Sequence, residues 1–141
     1  MTARGTRASA PLLAALAETT EDRIVLDLTG IEDRYDTLRR ELPGVDVRFA
    51  MKACPVDEVL ACLAAKGAGI DGASPRELEQ ALRAGVPADR THYGNTVKSD
   101  RDIADAHRLG VTVFATDSME DLAAIAARPG SPCVLQAGDQ R

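Results

Sequence analysis

Between Val45 and Ala137 the chain alternates short apolar runs with amphipathic segments, and few folds accept so regular an alternation. The strand-like runs centre near Phe49, Ile70, Tyr93, Val113 and Leu135. They recur about every 20–23 residues, the spacing of strands separated by helices in a parallel sheet. The segments between them carry helical periodicity and clear ends. Val56, Val59, Leu60 and Leu63 form one apolar stripe, and Gly67 stops it. Ser74-Pro75-Arg76-Glu77 predicts a capping box with proline at the first helical position, ahead of Leu78, Ala81 and Leu82 and a stop at Gly85. Ser99 with Asp102 opens a third helix through Ile103 and Ala106 to Gly110. Asp117-Ser118-Met119-Glu120 opens a fourth, through Leu122, Ile125 and Ala126 to Pro129-Gly130. The expectation is five strands and four helices. They follow an N-terminal preface with a short helix over Pro11–Glu18, a strand over Ile24–Leu28 and a helix over Ile31–Leu42.

Two architectures fit this alternation: an open doubly wound sheet, or part of an eight-fold barrel. A dinucleotide-binding sheet should place a glycine-rich turn after its first strand. Here Phe49-Ala50-Met51-Lys52 runs into Ala53-Cys54-Pro55, and Gly67-Ala68-Gly69 comes after a helix. The regular units therefore favour a partial (β/α)8 barrel. A whole barrel takes roughly 250 residues, so 141 residues should supply about five of its eight strands. We divide the chain into a segment 1–23 with a short helix and a truncated barrel domain 24–141.

Bulk properties exclude several function classes. The net charge of −5 is spread evenly, with no basic block for nucleic acid or an anionic membrane surface. The three cysteines form no CxxC pair, and with two histidines they argue against a structural zinc site. Reduced thiols in a cytoplasm are the simplest reading. Arg4, Arg7 and the run Pro11–Ala17 loosely imitate a signal peptide, but the run is short, alanine-rich and followed by Glu18, so a helix is expected there. No stretch has the length to span a membrane.

Along Val47–Ala53 strand alternation puts Val47, Phe49 and Met51 on one face and Arg48, Ala50 and Lys52 on the other. If the first face packs under helices, Lys52 points inward at the C-terminal end of a strand, where barrel enzymes keep their catalytic groups. Partial burial of its ammonium would favour the neutral, nucleophilic amine. The alternative from position alone is a strand-end lysine reaching out to water.

Several segments, in order, resemble the ornithine-decarboxylase-like basic amino acid decarboxylases, the fold-type III (alanine racemase-like) pyridoxal-phosphate enzymes. Ile24-Val25-Leu26-Asp27-Leu28 is similar to their entry strand, and Phe49-Ala50-Met51-Lys52-Ala53-Cys54-Pro55 to their cofactor-lysine motif Y-A-V-K-A/C-N. Gly69-Ile70-Asp71-Gly72-Ala73-Ser74 resembles G-F-D-x-A-S, and Ala84-Gly85-Val86-Pro87 matches A-G-V-P. Tyr93-Gly94-Asn95-Thr96-Val97-Lys98 with Arg101-Asp102-Ile103 resembles F-G-N-x-x-K…R-D-I, and Phe114-Ala115-Thr116-Asp117-Ser118 resembles F-x-x-D-S. The resemblance spans Ile24 to about Leu135 and leans toward the ornithine branch at Gly94-Asn95-Thr96.

It implies a pyridoxal 5'-phosphate enzyme with Lys52 as the Schiff-base lysine, Asp71 beside it and Asn95 lining the site. The substrate would be a small basic amino acid, ornithine giving putrescine for polyamine biosynthesis, in a cytoplasmic homodimer. Structural roles stay open for two of these residues: a loop acid for Asp71 and a loop-shaping amide for Asn95. Ser74 reads as a cap and Lys98 as a structural or surface charge. Cys54 reads as an inert small residue. Neither His92 nor His107 matches the family's ring-stacking histidine, which comes from a later strand.

The family's phosphate-binding loop, its ring-nitrogen acid and its C-terminal β-domain have no counterpart here, and Val134-Leu135-Gln136-Ala137 departs from the usual V-L-R-I. We therefore expect an incomplete catalyst whose open sheet edges favour self-association. The alternatives are a non-catalytic truncated homologue or interaction module without cofactor and, more weakly, a small single-barrel cofactor carrier.

Overall fold

A computed structural model describes residues 8–18, 20–128 and 133–135. Its strands are β1 (Arg48–Ala50), β2 (Gly69–Gly72), β3 (Thr91–Tyr93), β4 (Val113–Thr116) and β5 (Cys133–Leu135). They form one parallel sheet in the order β1-β2-β3-β4-β5. The order follows the sequence and never reverses, so the sheet has no switch point of the doubly wound kind. Sequential parallel pairing is the arc of a barrel, as the repeat predicts.

The helices are α1 (Ala10–Ala17), α2 (Leu28–Glu41), α3 (Asp57–Ala65), α4 (Pro75–Arg83), α5 (Asp100–Arg108) and α6 (Met119–Ala126). Their ends follow the sequence signals closely. Ser74, Ser99 and Ser118 each accept a bond from the backbone N–H three residues on. At α5 the capping box is complete, with Asp102 accepting from the Ser99 N–H at 3.3 Å. At α4 the reciprocal half shifts by one residue: Glu77 accepts from Ala73 N–H at 2.7 Å, drawing in the residue ahead of the cap. Gly85, with φ of 96°, ends the α4 turn in a backbone conformation that costs a side-chain-bearing residue.

The apolar faces meet on one side of the sheet. Tyr93 and Phe114, with ring centroids 5.9 Å apart, pack with Leu78, Ile103, Val111 and Ile125. Met51, Leu60, Ile70, Ala81 and Val86 form the adjoining cluster. Tyr35 of α2 closes over Val59, Leu63 and Ala68. Each large side chain fully buried in this way contributes about 1.5–3 kcal/mol of transfer free energy. The opposite face is sparser: the strand registers align Ala50, Asp71, His92 and Val113 across it.

Two expectations are corrected. Ile24–Leu28 forms no strand: Asp27 caps α2 through its Oδ1, which accepts from Gly30 N–H at 3.0 Å, and the chain is helical from Leu28. A β-prone run needs a sheet neighbour to become a strand, and Ile24 here is 91% exposed. Strand β1 is also shorter than the alternation suggests. It ends at Ala50, and Met51–Ala53 form a 3-10 turn closed by Cys54 N–H to Met51 C=O at 3.1 Å. Arg4, Arg7, the Pro129-Gly130 stop and the ending from Gln136 onward lie outside the described residues. Among the described residues no helix is long and apolar enough to cross a membrane.

Candidate active site

The C-terminal ends of β1 to β4 open into a polar cavity of about 240 Å³, lined by Lys52, Asp71, Gly94, Asn95, Thr96 and Asp117 among others. Each strand end delivers a residue. Lys52 comes from the 3-10 turn after β1, Asp71 from β2 itself, Gly94 to Thr96 from the loop after β3 and Asp117 from the residue after β4. The topology thus brings together Lys52, Asp71 and Asn95, the three residues singled out in the sequence. Thr96 and Asp117 join them. The sequence marks Asp117 as part of a helix start and of the F-x-x-D-S resemblance, without a site role.

Lys52 faces the cavity but is exposed, so the expectation of a partly buried ammonium is corrected. The strand stops two residues before it, and the turn lifts it to the rim while its neighbour Met51 takes the core position. Its Nζ forms no hydrogen bond or ion pair among the described residues. The other lysines are occupied: Lys66 pairs with Asp36, and Lys98 is buried against Asp121. Lys52 is therefore the accessible amine of the cavity, and an accessible amine condenses with a carbonyl compound.

Asp71 is held from two directions. Nδ1 of His92, its register partner on β3, lies 2.7 Å from Asp71 Oδ1. Gly94 leaves the space the carboxylate uses, since a Cβ there would lie 2.6 Å from Asp71 Cγ. His92 is thus a site residue that sequence reading passed over. Its signal was available only as a strand register: in a parallel pair, Asp71 and His92 fall opposite each other.

The loop after β3 is fixed by its own polar groups. Asn95 Oδ1 accepts from Val97 N–H at 3.3 Å, and its Nδ2 donates to Ala73 C=O at 3.4 Å. Asn95 therefore lines the cavity and shapes the loop at once. Lys98 anchors the same loop from below. Its ammonium donates to Asn95 C=O at 2.8 Å, Ala115 C=O at 2.7 Å and Asp121 Oδ2 at 2.6 Å. Lys98 is structural, and its side chain is wholly buried.

Other tempting groups stay out of the site. Cys54, two residues after Lys52 in sequence, packs toward the Tyr35 cluster. His107 lies against Phe114 with centroids 5.2 Å apart, and burial holds its ring below the usual histidine range. A larger groove of about 560 Å³ lies between α1, α2 and β1. Its lining is apolar apart from Asp27, Arg34 and Arg48, and Asp27 is engaged as a cap, so it lacks the chemistry of the smaller cavity. The cavity beside Lys52 has an accessible amine, an adjacent carboxylate, an amide and the small residues Ala73 and Gly94. That set suits a compact ligand bearing an aldehyde.

The family model described as pyridoxal-dependent decarboxylase, pyridoxal binding domain, matches residues 28–137. The lysine/ornithine decarboxylase of Selenomonas ruminantium is 34% identical over 114 residues, covering 80% of this chain and 29% of that protein. The ornithine decarboxylase of Caenorhabditis elegans is 34% identical over 123 residues, covering 86% of this chain and 29% of that protein. The crystal structure of a lysine/ornithine decarboxylase from Vibrio vulnificus, complexed with putrescine, superposes with a TM-score of 0.80 at 32% identity. It covers 90% of this chain and 36% of that one. The chain thus spans about a third of the length of the proteins it matches.

Proposed function

The chain belongs to the pyridoxal-dependent decarboxylase family, through that family's pyridoxal-binding domain, and we propose that Lys52 is the lysine that carries the cofactor. The observation behind this reading is the placement of Lys52 as the accessible amine at the C-terminal ends of the strands, beside a carboxylate. Pyridoxal phosphate, when bound, supplies the electron sink that lets an amino acid lose CO₂. The chain's own residues prepare for it. With the cofactor bound, the amine of Lys52 would hold it through its aldehyde carbon. Asp71, as an anion, favours positive charge on that nitrogen. Asn95, pinned by Val97 and Ala73, lines the wall next to them.

The reading extends to a whole enzyme that decarboxylates a small basic amino acid, ornithine in the first place, to give putrescine for polyamine biosynthesis. Relatives acting on lysine and ornithine support a basic substrate. A cytoplasmic setting fits the free thiols of Cys54 and Cys62. Self-association fits the edge of β1, which pairs only with β2 among the described residues, and the exposed Leu38, Leu42 and Val45 beside it in sequence.

The test is to incubate the purified chain with pyridoxal phosphate, reduce with borohydride and map the adduct by mass spectrometry. A stable adduct at Lys52, absent in Lys52→Ala, is the expected result. Labelling of Lys66 as fast as Lys52 would overturn the assignment and favour a homologue without a cofactor site.

A further inference from the structure

The inner face of the sheet carries two ionisable side chains in contact, and the contact is built rather than incidental. Asp71 and His92 are register partners on β2 and β3, so their side chains leave the sheet side by side. The carboxylate only accepts, so the hydrogen sits on His92 Nδ1, and the 2.7 Å separation is that of a charge-assisted bond. The ring is 15% exposed and the carboxylate 38% exposed, so the imidazole is the anchored partner and the acid the presented one. Gly94 supplies the room, since a Cβ there would displace the Asp71 carboxylate. Nε2 of His92 is buried with no partner among the described residues, so its bond to Asp71 is the ring's single polar tie there. The carboxylate then shares its cavity with Lys52, and Ala50, two residues before Lys52, is its register partner on the other side.

We propose that His92 is a positioning residue for Lys52 that acts through Asp71: its Nδ1–H orients the carboxylate and draws off part of its charge, keeping the Lys52 amine available as a nucleophile. A bare carboxylate beside an amine stabilises the ammonium form and removes the lone pair from reaction. A carboxylate already accepting a strong hydrogen bond holds that proton less tightly. The inference rests on the reading of Lys52 given above.

The experiment reads the amine itself, without cofactor. The full chain is treated with trace acetic anhydride, and the acetylation rate of Lys52 is measured by mass spectrometry against Lys66 as internal reference. His92→Phe should slow Lys52 about three- to tenfold, because the unrestrained carboxylate holds more of the amine as ammonium. His92→Asn should restore the rate to within about twofold, because its amide N–H stands where the Nδ1–H stood. Asp71→Asn should speed Lys52, and His92→Phe should then have no further effect. An unchanged rate in His92→Phe, or the same slowing in the Asp71→Asn background, would overturn the proposal, as would His92→Asn behaving like His92→Phe. Melting temperatures check that each variant folds. If His92→Phe does not fold, Asp71→Asn alone decides: a Lys52 rate that fails to rise refutes the mechanism. If no pyridoxal phosphate adduct forms at Lys52, the functional reading falls while this rate comparison still stands.

Discussion

Replacing Lys98 with methionine removes one charge from a buried pair and strands the other. Lys98 and Asp121 are 0% and 8% exposed at their side chains, and all three ammonium hydrogens are used, on Asp121, Asn95 and Ala115. Methionine fills most of the volume, so the change is mainly electrostatic. Asp121 would be left buried and uncompensated, with its Oδ1 already lacking a partner. Breaking a buried pair from one side costs about 3–5 kcal/mol. With a urea dependence of about 1.5 kcal/mol per molar, the unfolding midpoint should fall by roughly 2–3 M. The double variant Lys98→Met/Asp121→Leu removes both charges and leaves chiefly the two carbonyls unserved, at about 1 kcal/mol each. It should therefore be more stable than the single variant. Urea melts by circular dichroism on the wild type, both singles and the double make the comparison. A single variant within about 1 kcal/mol of wild type, or a double no better than the single, would refute a buried, mutually dependent pair.

Three further outcomes follow from the same packing. Gly94→Ala should cost about 1–3 kcal/mol by pushing the new Cβ into the Asp71 carboxylate, and Gly94→Ala/Asp71→Ala should recover most of it in thermal melts. Burial, helped by the charges of Asp102, Asp121 and Glu77, pushes the Tyr93 phenol up to about 12. The folded chain thus keeps a proton that the unfolded chain releases near 10, so this contribution to stability is intact below pH 10 and lost as pH rises to 12. Tyr93→Phe should lack that component when melts are compared across the window. Ser74→Ala should cost about 1 kcal/mol by freeing the Glu77 N–H at the start of α4, read as a lower urea midpoint with an unchanged slope.

Much of this protein follows from local chemistry and is legible in the chain itself. Strand and helix positions come from the spacing of Phe49, Ile70, Tyr93 and Val113 and of the apolar stripes between them, because side-chain periodicity is a property of the backbone. The helix starts at Ser74, Ser99 and Ser118 rest on bonds spanning three residues. Position puts Lys52 at a strand end, but the roles of Lys52, Asp71 and Asn95 are legible only through the resemblance of the motifs around them to a family.

Tertiary structure decided what depends on neighbours. Ile24–Leu28 has strand-like composition but finds no sheet neighbour, so Asp27 serves as a helix cap. Whether Lys52 is buried turned on where β1 stops, and it stops at Ala50, leaving the amine at the rim. Lys98 became a buried anchor only when α6 brought Asp121 to it from 23 residues away. His92 entered the site only through the register of β2 against β3. A sequence states which residues can make such bonds. Only the packing of one element on another brings donor and acceptor within 3 Å, and the cost of burying either one alone then makes the pairing binding.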